Sequence, residues 1–363
     1  MFTIKGFYNR ATVFANASDV DQQAIDQIKD LLGKEFVRGS TIRIMTDVHS
    51  GAGCVIGTTM TIDKSVVPNL VGVDIGCGLE VVRLADRHID VKALDALIYT
   101  RIPAGFKIRE KEHPFNEHID LDRLKCRSAV DLGRARLSVG TLGGGNHFIE
   151  VNVDGDGARY LVVHSGSRHI GLQVATHYQK MASKGGRDPL AHLEGEQFDD
   201  YLHDMRLMQQ YAAINRKAIV DTLLSGLGLV ECDRFTTIHN YIDTEEMILR
   251  KGAVSAHKGE RLIIPLNMRD GSLLCIGKGN AQWNYSAPHG AGRTMSRREA
   301  KRVLDLKRYR TMMNGIYTTS VSKATLDECP LAYKPLGTLL AHISPTVDVI
   351  EHIKPIYNFK AAD

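Results

Sequence analysis

The sequence predicts an α+β fold in one domain spanning residues 1–363, and three observations carry that prediction. Strand-like and helix-like stretches mix without the strict alternation that builds a doubly wound parallel sheet. No linker rich in proline, serine or glycine, internal repeat or low-complexity segment divides the 363 residues. Polar, glycine-flanked motifs recur at strand ends all the way from Asp47 to Arg293. A site drawn from so much of the chain is most simply built in a single domain. With 43% hydrophobic and 24% charged residues, the chain can bury a sizeable core.

The elements follow in order. Apolar residues at helical spacing predict a first helix over 19–36 (DVDQQAIDQIKDLLGKEF). Apolar runs then predict strands over 41–50 and 65–76. A helix is expected over 91–100, and strands over 146–154 and 158–166. The longest helical pattern covers 195–227. Strands follow over 235–242, 261–267 and 272–279. Ser296 and Glu299 form a Ser-x-x-Glu capping box, so a last helix is expected over 296–306.

Charge and cysteines exclude little. A formal net charge of +4 is compatible with a nucleic-acid partner without arguing for one. No apolar run approaches the roughly 20 residues needed to span a bilayer. The opening residues MFTIKGFYNRATVFA lack the apolar core of a signal peptide, so the cytoplasm is the expected location. The six cysteines are scattered without a CxxC pair, which indicates neither a zinc finger nor a disulfide framework.

Five short stretches share one pattern, an apolar strand ending in His, Asp or Cys, usually beside glycine. They hold Asp47 and His49 (MTDVHSGAGC), Asp74 and Cys77 (VGVDIGCGLE), Asn146, His147 and Glu150 (TLGGGNHFIEV), His164 and Arg168 (VVHSGSRHIG), and His239 and Asn240 (TTIHNYI). Carboxylate, thiolate and imidazole are standard metal donors, and strand ends bring side chains together readily. Each stretch alone reads more simply as a hydrogen-bonded residue or a chance spacing. Their co-occurrence is what points to a metal. Asp74 and Cys77 sit three apart in a glycine-flanked turn, a spacing that lets both reach one ion. A thiolate also bridges ions, so Cys77 is compatible with a two-metal site of the phosphoryl-transfer kind. Softness alone favours zinc, with manganese, iron and nickel open.

Other features are weaker. The three glycines 143–145 can present backbone N–H groups to a phosphate, but a tight turn between strands explains them better. Asn215 and Arg216, on the long helix, are weak candidates for contacts to RNA or to metal ligands. His289 lies in SAPHGAGR, where flanking glycines let the backbone approach a ligand, and Arg293 and Arg297 suggest that the ligand is an anion. No GxxxxGK[ST] phosphate loop and no Lys-x-Asp-Gly of a lysine-dependent nucleotidyl carrier occur. A covalent nucleotide carrier in this chain would therefore be another residue, and His289 is the natural one, because neutral imidazole attacks phosphorus and passes the group on.

In this order, VGVDIGCG, GTLGGGNHFIE, HSGSR, IHN and SAPHGAGR resemble the RNA-splicing ligase RtcB family, from about Asp47 to the C-terminus. The resemblance implies mixed sheets around a central metal and nucleotide cleft. It implies GTP- and manganese-dependent joining of an RNA 3′-phosphate or 2′,3′-cyclic phosphate to a 5′-hydroxyl, in RNA repair or tRNA splicing. His289 would carry GMP. Asp74, Cys77, His147, His164 and His239 would hold two manganese ions, with Cys77 bridging. Asn146, Glu150, Ala291 and Gly292 would contact the nucleotide, and Ser272, Tyr333 and Lys360 would form the guanine pocket. Arg168 and Arg293 would bind phosphates. An accessory protein that promotes guanylylation is a further expected partner. Where the family has a segment like IPGSMG, this chain reads IPLNMRDGS, so Leu266, Asn267 and Arg269 alter the expected pocket. Two other readings stay open on the residues: a metal-dependent phosphodiesterase or cyclic-phosphate hydrolase, and a non-catalytic RNA-end-binding protein.

Overall fold

A computed structural model describes residues 1–361 and has the mixed architecture that the sequence predicts. Two larger sheets carry it. One has six strands in the spatial order Phe2–Lys5, Arg10–Val13, Ile42–His49, Ile56–Thr61, Ile248–Lys251, Asn240–Asp243. The other has seven, in the order Glu231–Ile238, Gly78–Leu84, Arg159–Ser165, Phe148–Val153, Val347–Lys360, Gly271–Gly277, Arg261–Asn267. Neighbours in the second sheet are all antiparallel.

Local chemistry sets the helix ends. Helix α1 (Gln22–Leu32) is shorter than 19–36 because Asp21 caps it, accepting from Ala24 N at 2.8 Å, and Gly33 closes it. Helix α2 (Val91–Arg101) starts on the Asp90 cap, α3 covers Leu132–Ser138, and α4 covers Arg168–Ala182. Helix α5 (Glu196–Leu227) is one unbroken helix of 32 residues, about 48 Å long, ended by Gly228 in the left-handed region. Helix α6 (Arg297–Val303) begins on Ser296, whose Oγ accepts from Glu299 N at 3.2 Å. It stops before 306, because Asp305 caps a separate helix, Leu306–Met312.

Two expected strands come out differently. Within 65–76 only Ser65–Val66 is extended. Pro68 lacks an N–H for a ladder, and Gly72 and Gly76 hold φ of +99° and +70°, so the chain turns until Gly78. The run 235–242 breaks at His239, leaving the seven-stranded sheet after Ile238 and entering the six-stranded one at Asn240.

Helix α5 ties the layers together. Its first half buries Tyr201, Met205, Met208 and Tyr211 in the core under the six-stranded sheet, with Met60, Ile242 and Leu249. Its second half buries Ile219, Val220 and Leu223 against Val82, Leu161 and Val163 of the seven-stranded sheet and against Leu94 and Ile98 of α2. No described helix is long and apolar enough to cross a membrane.

The turn before Gly78 presses on α5. A Cβ at Gly76 would lie 2.9 Å from both Ala212 Cβ and Gln209 Cα, on top of the left-handed φ. Gly76→Ala is expected to cost about 2 kcal/mol or more of stability. Denaturant unfolding measures it, and a variant as stable as the parent would contradict this packing.

Candidate metal centre and nucleotide cleft

Antiparallel pairing gathers the donor residues. In the seven-stranded sheet the neighbouring strands 231–238, 78–84, 159–165 and 148–153 alternate in direction, so two starts and two ends share one edge. Gly78 pairs with Ile238 and with Ser165, and Phe148 pairs with His164. Cys77 precedes one start and His147 the other, while His164 and His239 lie at the two ends. Asp74 joins from the turn, where Cys77 N donates to its carbonyl at 3.2 Å.

The geometry is that of converging lone pairs. Cys77 Sγ lies 3.4 Å from His147 Nε2 and 3.2 Å from His164 Nε2, and these three donors all lie within 4.8 Å of one another. Asp74 Oδ2 is 2.9 Å from His147 Nε2, and His239 Nε2 is 3.4 Å from His164 Nε2. On the far side of its ring, His164 Nδ1 donates to Asn146 O at 3.2 Å, so that ring carries its proton at Nδ1 and turns a bare Nε2 inward. His147 Nδ1 lies 2.9 Å from Leu142 O, which accepts, and 3.1 Å from Arg168 Nη1, which donates, so its proton sits on either nitrogen according to what Nε2 faces. A bare nitrogen facing the Asp74 carboxylate or another bare nitrogen repels it unless a proton or a metal cation lies between, and carbonyl-oriented histidines are the usual support of a metal site.

Electrostatics agree with a cation site. Burial holds the His164 and His239 imidazoles neutral, well below the usual histidine range, and neighbouring histidines add to this. Burial pushes the Cys77 thiol up and Asp74 adds to that, whereas Arg216 acts the other way. Burial would raise the Asp74 carboxyl, but a proton on the His147 side of the contact, where a bound cation would stand in its place, and the nearby Arg168 hold it well below the carboxylate range.

Helix α5 supplies the supports. Asn215 Oδ1 accepts from Gly140 N and Thr141 N at 2.8 and 3.1 Å, while its Nδ2 donates to Thr141 O and Gly166 O, both at 3.1 Å. Arg216 Nη1 donates to Gly76 O at 2.7 Å and to Ser165 O at 3.0 Å. Both side chains are fully buried, which excludes the RNA contact considered for them and makes them clamps on the loops that carry Cys77, His147 and His164.

His289 follows the short strand Ser286–Pro288 and faces His239, with ring centroids 4.9 Å apart. Its Nδ1 donates to Asp47 Oδ2 at 2.6 Å, and Asp47 is fully buried. Sequence reading noted Asp47 only as part of a motif; its partner, 242 residues away, gave no signal. Gly292, at φ +77°, brings the loop so close to Asp47 that a Cβ would lie 2.9 Å from the Asp47 Cα.

A cleft opens from the cluster, about 800 Å³ including its mouth. Asn146, Glu150, Ala291, Gly292, Tyr333 and Lys360 are on its wall, with His164, His239 and His289 at its floor. Ser272 is fully buried, its Oγ without a partner among the described residues, and Gly271 takes its place on the wall. Of the altered segment, Leu266 and Asn267 line the cleft, whereas Arg269 is turned to Asp270, at 2.7 Å. Arg293 and Arg297 reach the cleft but already face carboxylates and carbonyls. Arg297 Nη1 is 2.7 Å from both Asp327 Oδ2 and Glu328 Oε1, and Arg293 donates to Met295 O and Asp327 O. Glu328 also accepts from Lys360 and, at 2.8 Å, from Tyr333 Oη. Burial would raise its carboxyl, but Lys360 and Arg297 hold it at about 2. Sequence reading missed this acidic centre of the wall.

Two expectations follow. Asn215→Ala leaves Gly140 N and Thr141 N buried without acceptors and should cost about 2–4 kcal/mol. It should also weaken binding of a divalent transition metal in a titration of the purified protein; unchanged stability and affinity would remove Asn215 from the support. Glu150 is pushed up to about 7 by burial, against the pull of Lys360. A carboxyl raised in the folded state stabilises below its unfolded value, about 4.5, and loses that contribution as pH climbs through 7. Relative to Glu150→Gln, the parent should therefore lose on the order of 3 kcal/mol between pH 4.5 and pH 8. Denaturation curves that stay parallel over that range would contradict it.

Comparison with known proteins places this architecture. The family model described as tRNA-splicing ligase RtcB matches residues 27–125 and 112–361. The chain is 30% identical to the RNA-splicing ligase RtcB of Escherichia coli strain K12, over 87% of this chain and 88% of that protein. It is 26% identical to the tRNA-splicing ligases RtcB of Aeropyrum pernix and Archaeoglobus fulgidus, over 86% and 87% of this chain and 86% of each of theirs. The matched residues include every donor of the cluster and the whole cleft wall, and the chain belongs to the tRNA-splicing ligase RtcB family.

Proposed function

We propose that this chain is an RNA ligase that uses GTP and manganese to join an RNA 3′-phosphate to a 5′-hydroxyl, with His289 as the carrier of GMP. The observation that carries this reading is the His289–Asp47 pair beside the thiol–imidazole cluster. A carboxylate accepting from Nδ1 fixes the tautomer, so His289 Nε2 keeps its lone pair as the nucleophile.

In the first step, His289 Nε2 forms a bond to the α-phosphorus of GTP, and the bond to the bridging oxygen breaks as pyrophosphate leaves. Asp47 supports the positive charge that then develops on the imidazole. A 3′-phosphate oxygen of RNA next attacks that phosphorus, the P–N bond breaks, and His289 regains its lone pair. Finally the 5′-hydroxyl oxygen bonds to the 3′-phosphorus and GMP departs. A 2′,3′-cyclic end must take up water before it can enter this sequence.

The donor set fits divalent transition metal ions, because bare imidazole nitrogens, a thiol and a carboxylate converge and His239 Nδ1 is buried without a partner among the described residues. Cys77 lies between the Asp74–His147 and His164–His239 pairs, which supports two ions sharing its sulfur. Bound there, manganese would neutralise charge on the α-phosphate and the leaving pyrophosphate. Asn146, Glu150, Ala291, Gly292, Tyr333 and Lys360 are proposed to contact the nucleotide. Ser272 would reach it only by a local shift.

Incubation with manganese and α-labelled GTP tests the reading. Acid-labile, alkali-stable label is expected on the parent and none on His289→Ala. Asp47→Asn should slow labelling on the order of a hundredfold or more while leaving the fold intact. No label on the parent with metal bound would sink the mechanism, and label from ATP instead would reassign the base specificity.

A further inference from the structure

The positive charge of this chain is concentrated in one place. Residues 296–312 hold seven Arg or Lys and two acidic residues, a net charge of +5, whereas the whole chain has a formal +4. The remainder therefore sums to −1. These residues form α6 and, after only Leu304 and Asp305, a second short helix, α7 (Leu306–Met312).

The cations of α6 fall into two rows. Arg297 and Lys301, four apart, turn to the Asp327 carboxylate at 2.7 and 3.4 Å and fasten the helix behind the cleft wall. Arg298 and Arg302, also four apart, form the other row. Both are exposed, and neither forms an ion pair among the described residues. On α7 the division is between apolar anchors and cations. Tyr309 and, just past the helix end, Met313 are buried with Met268, Leu326 and Cys329. Lys307, Arg308 and Arg310 are exposed and likewise unpaired among the described residues. Elsewhere on the surface Lys34, Arg136, Arg261 and Lys278 each meet a carboxylate. Like charges one turn apart weaken a helix, so the fold gains nothing from the free row.

Its position decides what that row meets. Arg297 lines the nucleotide cleft, and a shallow hollow lined by Ser296, Arg298, Glu299, Lys301 and Arg302 flanks it on either side in the chain. Cleft and hollow share no lining residue. Exposed cations around an open hollow suit repeating phosphates, which fix a strand in place without reading its sequence. The cleft itself offers a strand little free charge, because Arg297 and Lys360 are held by Asp327 and Glu328. Resting on the ligase reading above, a 3′-phosphate must enter the cleft to receive GMP, and the chain behind it must leave across the cleft's rim. We propose that the free row of α6 and the exposed cations of α7 dock the sugar–phosphate backbone of that RNA strand, several nucleotides upstream of its 3′ end. Arg298 and Arg302 hold the body of the strand and touch none of the reacting atoms.

The test uses the full chain with manganese and two fluorescent 3′-phosphorylated oligoribonucleotides. One is a trinucleotide, too short to span cleft and patch, and the other has about twenty nucleotides. The double variant Arg298→Gln, Arg302→Gln removes two exposed charges, and Lys307→Gln, Arg310→Gln repeats the change on α7. Lys64→Glu alters net charge equally from a loop of the six-stranded sheet, and thermal melting checks that all three stay folded. Each double variant is expected to weaken binding of the long strand about tenfold and to lower the slope of its salt dependence by about 1.4. Trinucleotide binding should not change. In ligation, KM for the long 3′-phosphate strand should rise while kcat stays the same. Equal long-strand binding by parent and double variants overturns the assignment. So does an equal loss for trinucleotide and long strand, which would put these cations in the cleft, or a loss matched by Lys64→Glu, which would make it an effect of net charge. Binding of polyglutamate that depends on Arg298 and Arg302, with RNA indifferent, overturns it in favour of an acidic protein. Labelling of His289 by GTP, measured alongside, separates the two readings. A labelled parent with an indifferent patch sinks this proposal alone. An unlabelled parent whose long-strand binding still depends on Arg298 and Arg302 sinks the ligase mechanism and keeps the patch as an RNA surface.

Discussion

Three glycine-rich loops cannot hold themselves in register, and in this protein one helix does it for them. The middle of α5 presents Asn215 and Arg216 to backbone groups of the loops around Gly76, Gly140 and Ser165. These bonds replace the ladder that a strand would provide, which leaves Cys77 and His147 just outside their strands, and His164 at the end of its own, fixed in position. A buried guanidinium is tolerated only with nearby negative charge. Burial disfavours the charge of Arg216, whereas Glu80, Cys77 and Asp74 favour it. The clamp and the donors are thus one electrostatic unit.

Topology explains why the cluster faces two ways. His239 belongs to neither larger sheet: its N donates to Cys77 O at 2.9 Å, and its carbonyl accepts from Gly252 N at 2.6 Å. The strand that brings it leaves one sheet for the other at that point, opening a seam between them. Asp47, on a six-stranded-sheet strand, and His289, from a loop, meet in the seam on the His239 side. Asp74 stays on the outer side of the turn. One cluster is therefore reached from a nucleotide cleft and, through Asp74, from a separate groove without any residue serving both.

Much of this was legible in the sequence, and what was not has physical reasons. The stretch 195–227 read as one helix because its apolar spacing never lapses, and the Ser296 cap marked the start of α6. The candidate donors stood out because Cys77 lies between glycines and the histidines stand at the ends of apolar runs. The segment 65–76 misled because its valines suggest a strand, whereas Pro68 and the positive-φ glycines govern the backbone. Pairings across hundreds of residues left no local trace. His289 reads as a nucleophile from its setting, but the carboxylate that orients it had to be seen. Arg297 reads as an anion binder, and the anions it meets are Asp327 and Glu328, thirty and thirty-one residues on.

That last pairing divides the labour of binding phosphate. On the cleft wall Arg297 and Lys360 are matched by Asp327 and Glu328 behind them, with Arg293 close by, so little cationic charge there is unspent. On the proposed function, a triphosphate in the cleft would rely on the metal cluster and on backbone near Gly292, both beside His289. The far wall, where Lys360, Tyr333 and Arg297 are held by the ionised Glu328 behind them, would suit the hydrogen-bonding edge of a base better than a phosphate chain.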